Sequence, residues 1–97
     1  MKLLQGKVIA ITGAGGGLGR AYALYLAQQG AKIVVNDVGG ARDGSGNDGR
    51  AADQVVNEIR QAGGEAAANH QSVATMDGAA SIVETAVKTF GRLDAMV

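Results

Sequence analysis

The sequence predicts an α/β fold in which helices wind both faces of a parallel sheet. Three observations predict it. Short β-branched apolar runs alternate with amphipathic runs of helical spacing, the helical runs end at glycines, and a glycine-rich turn joins the first strand to the first helix.

Residues 7–12 read as the first strand, an apolar run of the kind that is buried on both faces. Residues 18–29 read as the first helix, ended by Gly30. Leu18, Tyr22, Tyr25, Leu26 and Gln29 fall on one stripe, and the alanines between them permit close packing on a sheet. That pattern predicts a helix covered on more than one side, with Tyr22 and Tyr25 packed in the core. Residues 31–36 form a second β-branched strand and complete one βαβ unit. Ala52, Val55, Val56 and Ile59 mark a second helix closed by Gly63 and Gly64, and the alanine-rich segment 65–69 is a third strand. A third helix carries Ala79, Ile82, Val83, Ala86, Val87 and Phe90 on one face and stops at Gly91. Residues 93–97 then form a fourth strand. Right-handed crossovers turn this βαβαβαβ succession into a Rossmann-like, doubly wound sheet of spatial order 3-2-1-4. No turn or cap signal follows Val97, so the fold is expected to be truncated after the fourth strand, leaving an apolar edge for another segment or chain to cover.

Composition narrows the function classes. The 97 residues hold one small domain, with apolar residues at 46% and aromatics at only 3%, so the core must be Val, Ile, Leu and Ala. Nine basic and nine acidic residues cancel. No field therefore favours nucleic acid or an anionic membrane, and the stacking aromatics of RNA modules are missing. Without cysteine there is no disulfide framework or thiol chemistry, and the single histidine, His70, cannot build a metal cluster. The first residues are too short and polar for a signal peptide, and no apolar stretch approaches the length of a bilayer span. A soluble cytoplasmic protein is expected.

The turn Thr12-Gly13-Ala14-Gly15-Gly16-Gly17-Leu18-Gly19 carries the chemistry. Between a strand and a helix, such a turn aims backbone N–H groups and the positive end of the helix at a pyrophosphate, and glycines let the chain approach where a Cβ would collide. A P-loop is excluded, because Arg20-Ala21-Tyr22 stands where Gly-Lys-Ser/Thr would be needed. The G-x-G-x-x-G spacing also fails: started at Gly13 it ends on Leu18, and started at Gly15 it ends on Arg20. The wider spacing Gly13, Gly17, Gly19 remains, and the bound ligand is expected to be a dinucleotide.

Asp37 ends the second strand roughly 20 residues past that turn, where a carboxylate can accept hydrogen bonds from both hydroxyls of an adenosine ribose. That geometry favours NAD, since an NADP 2′-phosphate would bring about two negative charges against Asp37. A plain solvated strand-end aspartate is the structural alternative. Gly15, Gly16 and Val38 supply no compensating cation, although Arg42 in the next loop lies within reach in sequence. The loop 39–49 is either a lid or a spacer. A calcium loop starting at Asp43 fails, because Asp48 and Gln54 occupy the positions that need glycine and glutamate. Ser72 and Val73 follow the third strand, where an adenine ring would lie, and equally suit a simple turn. His70 is expected to cap the strand end at the surface, with no nucleophile or metal partner spaced near it.

Thr12, Gly13, Gly17 and Gly19 spell Thr-Gly-x-x-x-Gly-x-Gly, and on these residues the chain resembles the short-chain dehydrogenase/reductase family. The likeness extends through Asp37, Gly39 and Gly40, the run from Arg50 to Val56, Gly63 and Gly64, Ser72 and Val73, and Phe90-Gly91-Arg92-Leu93-Asp94. Within the family, Ala21-Tyr22-Ala23-Leu24, Val35-Asn36-Asp37 and the long glycine loop are similar to the (3R)-hydroxyacyl-CoA dehydrogenase unit of multifunctional enzyme type 2. The resemblance implies residues 1–97 as the N-terminal NAD-binding part of a single Rossmann domain. Gly13, Gly16, Gly17, Leu18 and Gly19 would hold the pyrophosphate and nicotinamide end, Asp37 the ribose, and Ser72 and Val73 the adenine. Gln71 departs from the acidic residue often found at its position. The family's hydride transfer uses a tyrosine with a lysine four residues on, helped by a serine and an asparagine, and no catalytic residue can be assigned here. Tyr22 is followed by Leu26 and Tyr25 by Gln29 at that spacing. The chain alone is therefore expected to be inactive, its parent an oxidoreductase acting on 3-hydroxyacyl-CoA or another secondary alcohol or ketone, and the assembly a homo-oligomer, peroxisomal if eukaryotic. The alternative is a non-catalytic NAD-binding or assembly module completed by another chain.

Overall fold

A computed structural model describes residues 4–15, 17–37, 50–71 and 76–97. The elements follow in the order β1 (Val8–Thr12), α1 (Gly17–Gln28), β2 (Lys32–Asn36), α2 (Arg50–Gln61), β3 (Ala66–Asn69), α3 (Met76–Phe90) and β4 (Ala95–Met96). The four strands form one parallel sheet of order β3-β2-β1-β4, as the alternation of patterns predicts.

Strand periodicity divides the core between the two faces. Ile9, Ile11, Ile33 and Val35 point to the side covered by α1 and α2, where they meet Ala23, Ala52, Val55, Val56 and Ile59. Val8, Ala10 and Val34 point the other way, onto Ile82 and Ala86 of α3 with Phe90 and Leu93 at the margin. β1 and β2 are buried almost throughout because helices cover both sides, which is why their sequences are continuous apolar runs rather than alternating ones. α2 and α3 begin with Asp53 and Asp77 in the first turn and end with Arg60 and Lys88 in the last, charges that match the helix dipole at each end.

Two expectations about packing are corrected. Tyr22 and Tyr25 are not core residues: with Leu18 they are 47%, 59% and 67% exposed respectively, and Ala23 is the one fully buried residue of α1. Leu24, Leu26 and Ala27 pack against the core instead, and a Cβ on Gly19 would lie 2.4 Å from the carbonyl oxygen of Gly13, so the first turn of α1 rests on the glycine turn. The fourth strand, Ala95–Met96, is shorter than 93–97; Asp94 and Val97 flank it with main-chain bonds to Val8 and Ala10, and the carboxylate of Asp94 accepts the N–H of Val8 at 2.8 Å. Among the described residues, no helix is long and apolar enough to cross a membrane.

Candidate functional site

The carboxyl edge of the sheet gathers Thr12, the glycine turn, Asn36, Asp37 and Asn69. β1 delivers the chain to Gly13, whose φ of 64° lies in the left-handed region that glycine tolerates best, and Gly17 starts α1 with a φ of 56°. A Cβ on either glycine would meet nothing within 4 Å. The turn thus presents bare backbone to open space. Ala14 is fully buried beneath it and donates its N–H to the carbonyl of Asn36 at 3.0 Å, which ties the turn to the end of β2. On the other side, Thr12 donates its N–H and its hydroxyl to the carbonyl of Val97 at 2.8 and 2.9 Å.

Asp37 is brought to the turn itself. Its Oδ2 accepts the N–H of Gly15 at 2.7 Å, a charge-assisted bond in a half-buried position. Gly15 must lack a side chain here, since a Cβ would lie 2.5 Å from that oxygen and 2.8 Å from the Cβ of Ala51 in the first turn of α2. A strand-end carboxylate, a glycine turn and two helix amino ends therefore converge. The first turn of α1 carries no acidic residue, so its dipole stays available to an anion. Arg20 does not turn toward the site: its guanidinium is paired with Glu58 of α2, with Nε to Oε1 at 3.2 Å.

The structure places Gly13, Gly17, Leu18, Gly19 and Asp37 together at this edge, with Leu18 exposed on the first turn of α1. Gly16, Ser72 and Val73 lie outside the described residues, as do Val38, the loop 39–49 and Arg42. His70 sits at the end of β3 and is exposed, with Nε2 3.4 Å from Oδ1 of Asp53. No group of three or more His, Cys, Asp or Glu among the described residues could hold a metal ion. Two grooves of about 350 and 320 Å³ lie at the opposite, amino edge of the sheet, where they share Ala27, Gly63 and Gly64. Neither touches the glycine turn or Asp37, so they are separate from the site.

Sequence reasoning missed Asn36 and Asn69. They are the buried polar residues of the sheet, 2% and 5% exposed, and Asn36 donates from Nδ2 to Oδ1 of Asn69 at 2.9 Å. The available signal was an asparagine closing each of two apolar strands.

A family model described as short chain dehydrogenase matches residues 7–97. A protein of Mycobacterium tuberculosis named as a short-chain type dehydrogenase/reductase is 60% identical over 94 residues, covering 97% of this chain and 33% of its own length. The peroxisomal multifunctional enzyme type 2 of Drosophila melanogaster is 59% identical over 93 residues, covering 96% of this chain and 15% of that enzyme. The crystal structure of a short chain dehydrogenase from Mycobacterium avium superimposes with a TM-score of 0.85 at 52% identity, over 97% of this chain and 32% of that one. A 7α-hydroxysteroid dehydrogenase complexed with NADH and 7-oxo glycochenodeoxycholic acid superimposes with a TM-score of 0.83 at 33% identity, over 96% of this chain and 33% of that one. The chain spans about a third or less of the length of these relatives.

Proposed function

Since the chain belongs to the short-chain dehydrogenase family, we propose that residues 1–97 are the N-terminal NAD-binding portion of a single Rossmann domain. The parent is an oxidoreductase that moves hydride between NAD and a hydroxyl or keto substrate, with a 3-hydroxyacyl-CoA as the substrate class. The observation that carries the cofactor reading is the 2.7 Å bond from the N–H of Gly15 to Asp37, which holds a carboxylate beside a bare glycine turn. The residues fit a dinucleotide on their own geometry: Gly13 and Gly17 leave open space where side chains would intrude.

Each part of the site has a role in this reading. Gly13, Gly16, Gly17, Leu18 and Gly19 hold the pyrophosphate and nicotinamide end, using main-chain N–H groups and the α1 dipole. Asp37 accepts from the ribose hydroxyls, and Ser72 and Val73 contact the adenine. Bound NAD supplies the carbon that takes the hydride. The carboxylate of Asp37 accepts from Gly15 at this edge, and a 2′-phosphate would bring further negative charge against it, so NAD is the preferred cofactor.

The substrate class rests on the similarity to peroxisomal multifunctional enzymes type 2, at 59% and 53% identity in Drosophila melanogaster and Mus musculus. The general acid/base belongs to the remainder of the parent, because neither Tyr22 nor Tyr25 has a lysine four residues on. The chain alone does not turn over substrate. The parent works as a homo-oligomer on a small molecule, in the cytoplasm or, in a eukaryote, the peroxisome.

The test is made on the full-length protein, by following NADH formation with a 3-hydroxyacyl-CoA and measuring NAD and NADP affinities for wild type and Asp37→Ala. Turnover with NAD, weakened NAD binding and relaxed discrimination in the variant are expected. Equal use of NADP by wild type, or affinities unchanged by Asp37→Ala, would refute the cofactor reading; absence of turnover with 3-hydroxyacyl-CoA would refute the substrate reading.

A further inference from the structure

Asn36 closes β2 and Asn69 closes β3, and the two are direct partners in the sheet register. At 2% and 5% exposed, their amides have no access to bulk water, so each donor and acceptor needs a protein partner. The main chain decides which way Asn69 turns. Gln71 donates its N–H to Oδ1 of Asn69 at 3.0 Å, so the amide oxygen faces Gln71 and the NH2 must face α3. There it donates to the hydroxyls of Ser81 and Thr85 at 3.1 and 3.0 Å. Thr85 in turn donates its hydroxyl to the carbonyl of Ser81 at 3.0 Å, which fixes the acceptor lone pairs. With Asn69 so oriented, Asn36 donates from Nδ2 to Oδ1 of Asn69 at 2.9 Å and to the carbonyl of Gln71 at 2.8 Å. The main chain of Gln71 is thus gripped at its N–H by one strand and at its C=O by the other.

Asp37 is the next residue after Asn36. Its N–H donates to the carbonyl of Asn69 at 3.0 Å, and its carboxylate accepts from Gly15. The buried amides therefore set the spacing between Asp37 and the main chain at Gln71. If the pair served the sheet alone, apolar side chains would suffice, as they do at Ile33, Val34 and Val35 along the same strand. Burying two amides is unfavourable unless their bonds are made, and the bonds made here fix main chain beside Asp37.

We infer that Asn36 and Asn69 are positioning residues for the adenosine half of the bound dinucleotide: they hold Asp37 and the Gln71 main chain at the separation that the ribose and base require. This rests on the proposed dinucleotide reading. It is tested on the full-length protein by calorimetric titration with ADP-ribose, which carries the adenosine half, and with nicotinamide mononucleotide, which does not. Asn36→Asp sets a carboxylate oxygen against the carbonyl of Gln71 and Oδ1 of Asn69. It should weaken ADP-ribose about tenfold, the factor of one buried hydrogen bond, and leave the mononucleotide within about twofold. The double variant Ser81→Ala with Thr85→Val keeps both asparagines and nearly all of the helix volume but frees the Asn69 amide to rotate. It should weaken ADP-ribose about threefold, and it decides the matter if Asn36→Asp does not fold. ADP-ribose affinity unchanged in a folded variant, or equal losses with both ligands, would overturn the positioning role. A wild-type protein that binds neither ADP-ribose nor NAD would overturn the dinucleotide reading itself.

Discussion

Gly15→Ala isolates the contact on which the cofactor reading turns. The added Cβ would lie 2.5 Å from Oδ2 of Asp37, 2.8 Å from its Cγ and 2.8 Å from the Cβ of Ala51. All three distances are below what non-bonded carbon tolerates, so something must move. Ala51 is fixed to the backbone of α2, and the side chain of Asp37 is the freer group. The carboxylate should swing away and give up its 2.7 Å bond to the N–H of Gly15. A charge-assisted bond contributes about 1.5–3 kcal/mol when buried. This one is half-buried, and the lower end, about 1.5 kcal/mol, corresponds to roughly tenfold in affinity if the displaced carboxylate no longer meets the ribose. Calorimetric titration of NAD into the full-length protein, with Gly15→Ala, Asp37→Ala and the double variant, makes this a double-mutant cycle. Once Asp37 is gone only the contact with Ala51 remains, so Gly15→Ala should cost less NAD affinity in the Asp37→Ala background than in wild type, and a coupling of about 1 kcal/mol or more is expected. Additive losses, or a Gly15→Ala protein with wild-type NAD affinity, would refute the claim that Gly15 is bare in order to seat Asp37.

The same structure fixes further outcomes. Gly19→Ala brings a Cβ to 2.4 Å from the carbonyl oxygen of Gly13, a backbone atom that cannot rotate away. It should lower stability by about 2 kcal/mol or more by denaturant unfolding, and a wild-type midpoint would contradict the close helix approach. Ile82, fully buried against Val8, Ala10 and Val34, should cost about 2–5 kcal/mol as Ile82→Ala in the same assay, and a loss below about 1 kcal/mol would show that this face is not packed as described. Asp94 accepts the N–H of Val8 and pairs with Arg92, and these bonds hold its pKa below the ordinary 3.8. A depressed folded pKa gives stability that is present above the unfolded value and lost as pH falls through the folded one. The stability gap between wild type and Asp94→Asn should therefore be widest above about pH 4 and close on acidification, and a gap that stays constant down to pH 3 would refute the assignment.

How far the sequence could be read follows from what each element uses to hold itself in place. β1 and β2 are held by β-branched side chains buried on both faces, and such runs are visible in the sequence. α2 is equally plain, since Ala52, Val55, Val56 and Ile59 are the residues that reach the core. In α1 the periodic stripe coincides only in part with the buried face: Leu26 packs against the core, whereas Leu18, Tyr22 and Tyr25 are exposed. The buried Ala23 and the partly buried Leu24 and Ala27 complete the face that α1 turns to the core. α3 behaves similarly: Gly78, Ile82 and Ala86 are buried, whereas Val83 and Val87 flank that stripe and are exposed. At the proposed site, the glycine spacing is visible in the sequence because positive φ at Gly13 and Gly17 and the close contacts at Gly15 and Gly19 call for glycine, whereas the bond that ties Asp37 to Gly15 appears only in the structure. The grip of Asn36 and Asn69 on Gln71 is not legible in the sequence either, because an asparagine at a strand end reads first as a turn former, and only the register shows that two of them meet.

The two edges of the sheet are closed by side chains in chemically different ways, and the difference bears on what each edge can accept. At the amino edge, Asp94 substitutes a charged oxygen for a strand carbonyl toward Val8, with Arg92 beside it. That closure is partly buried and rests on a titratable carboxylate whose pKa these bonds lower. At the carboxyl edge, neutral amides do the corresponding work on Gln71 and are buried. A carboxylate in place of either amide would titrate, and it would add negative charge next to Asp37, where the proposed ligand brings its own pyrophosphate. Neutral closure avoids both effects. It leaves Asp37 held by Gly15 on its carboxylate and by Asn69 on its main chain. In the proposed reading, the amides and the bare glycine turn act on one problem from two sides: backbone would come close to an anionic ligand at an edge that also carries the carboxylate of Asp37.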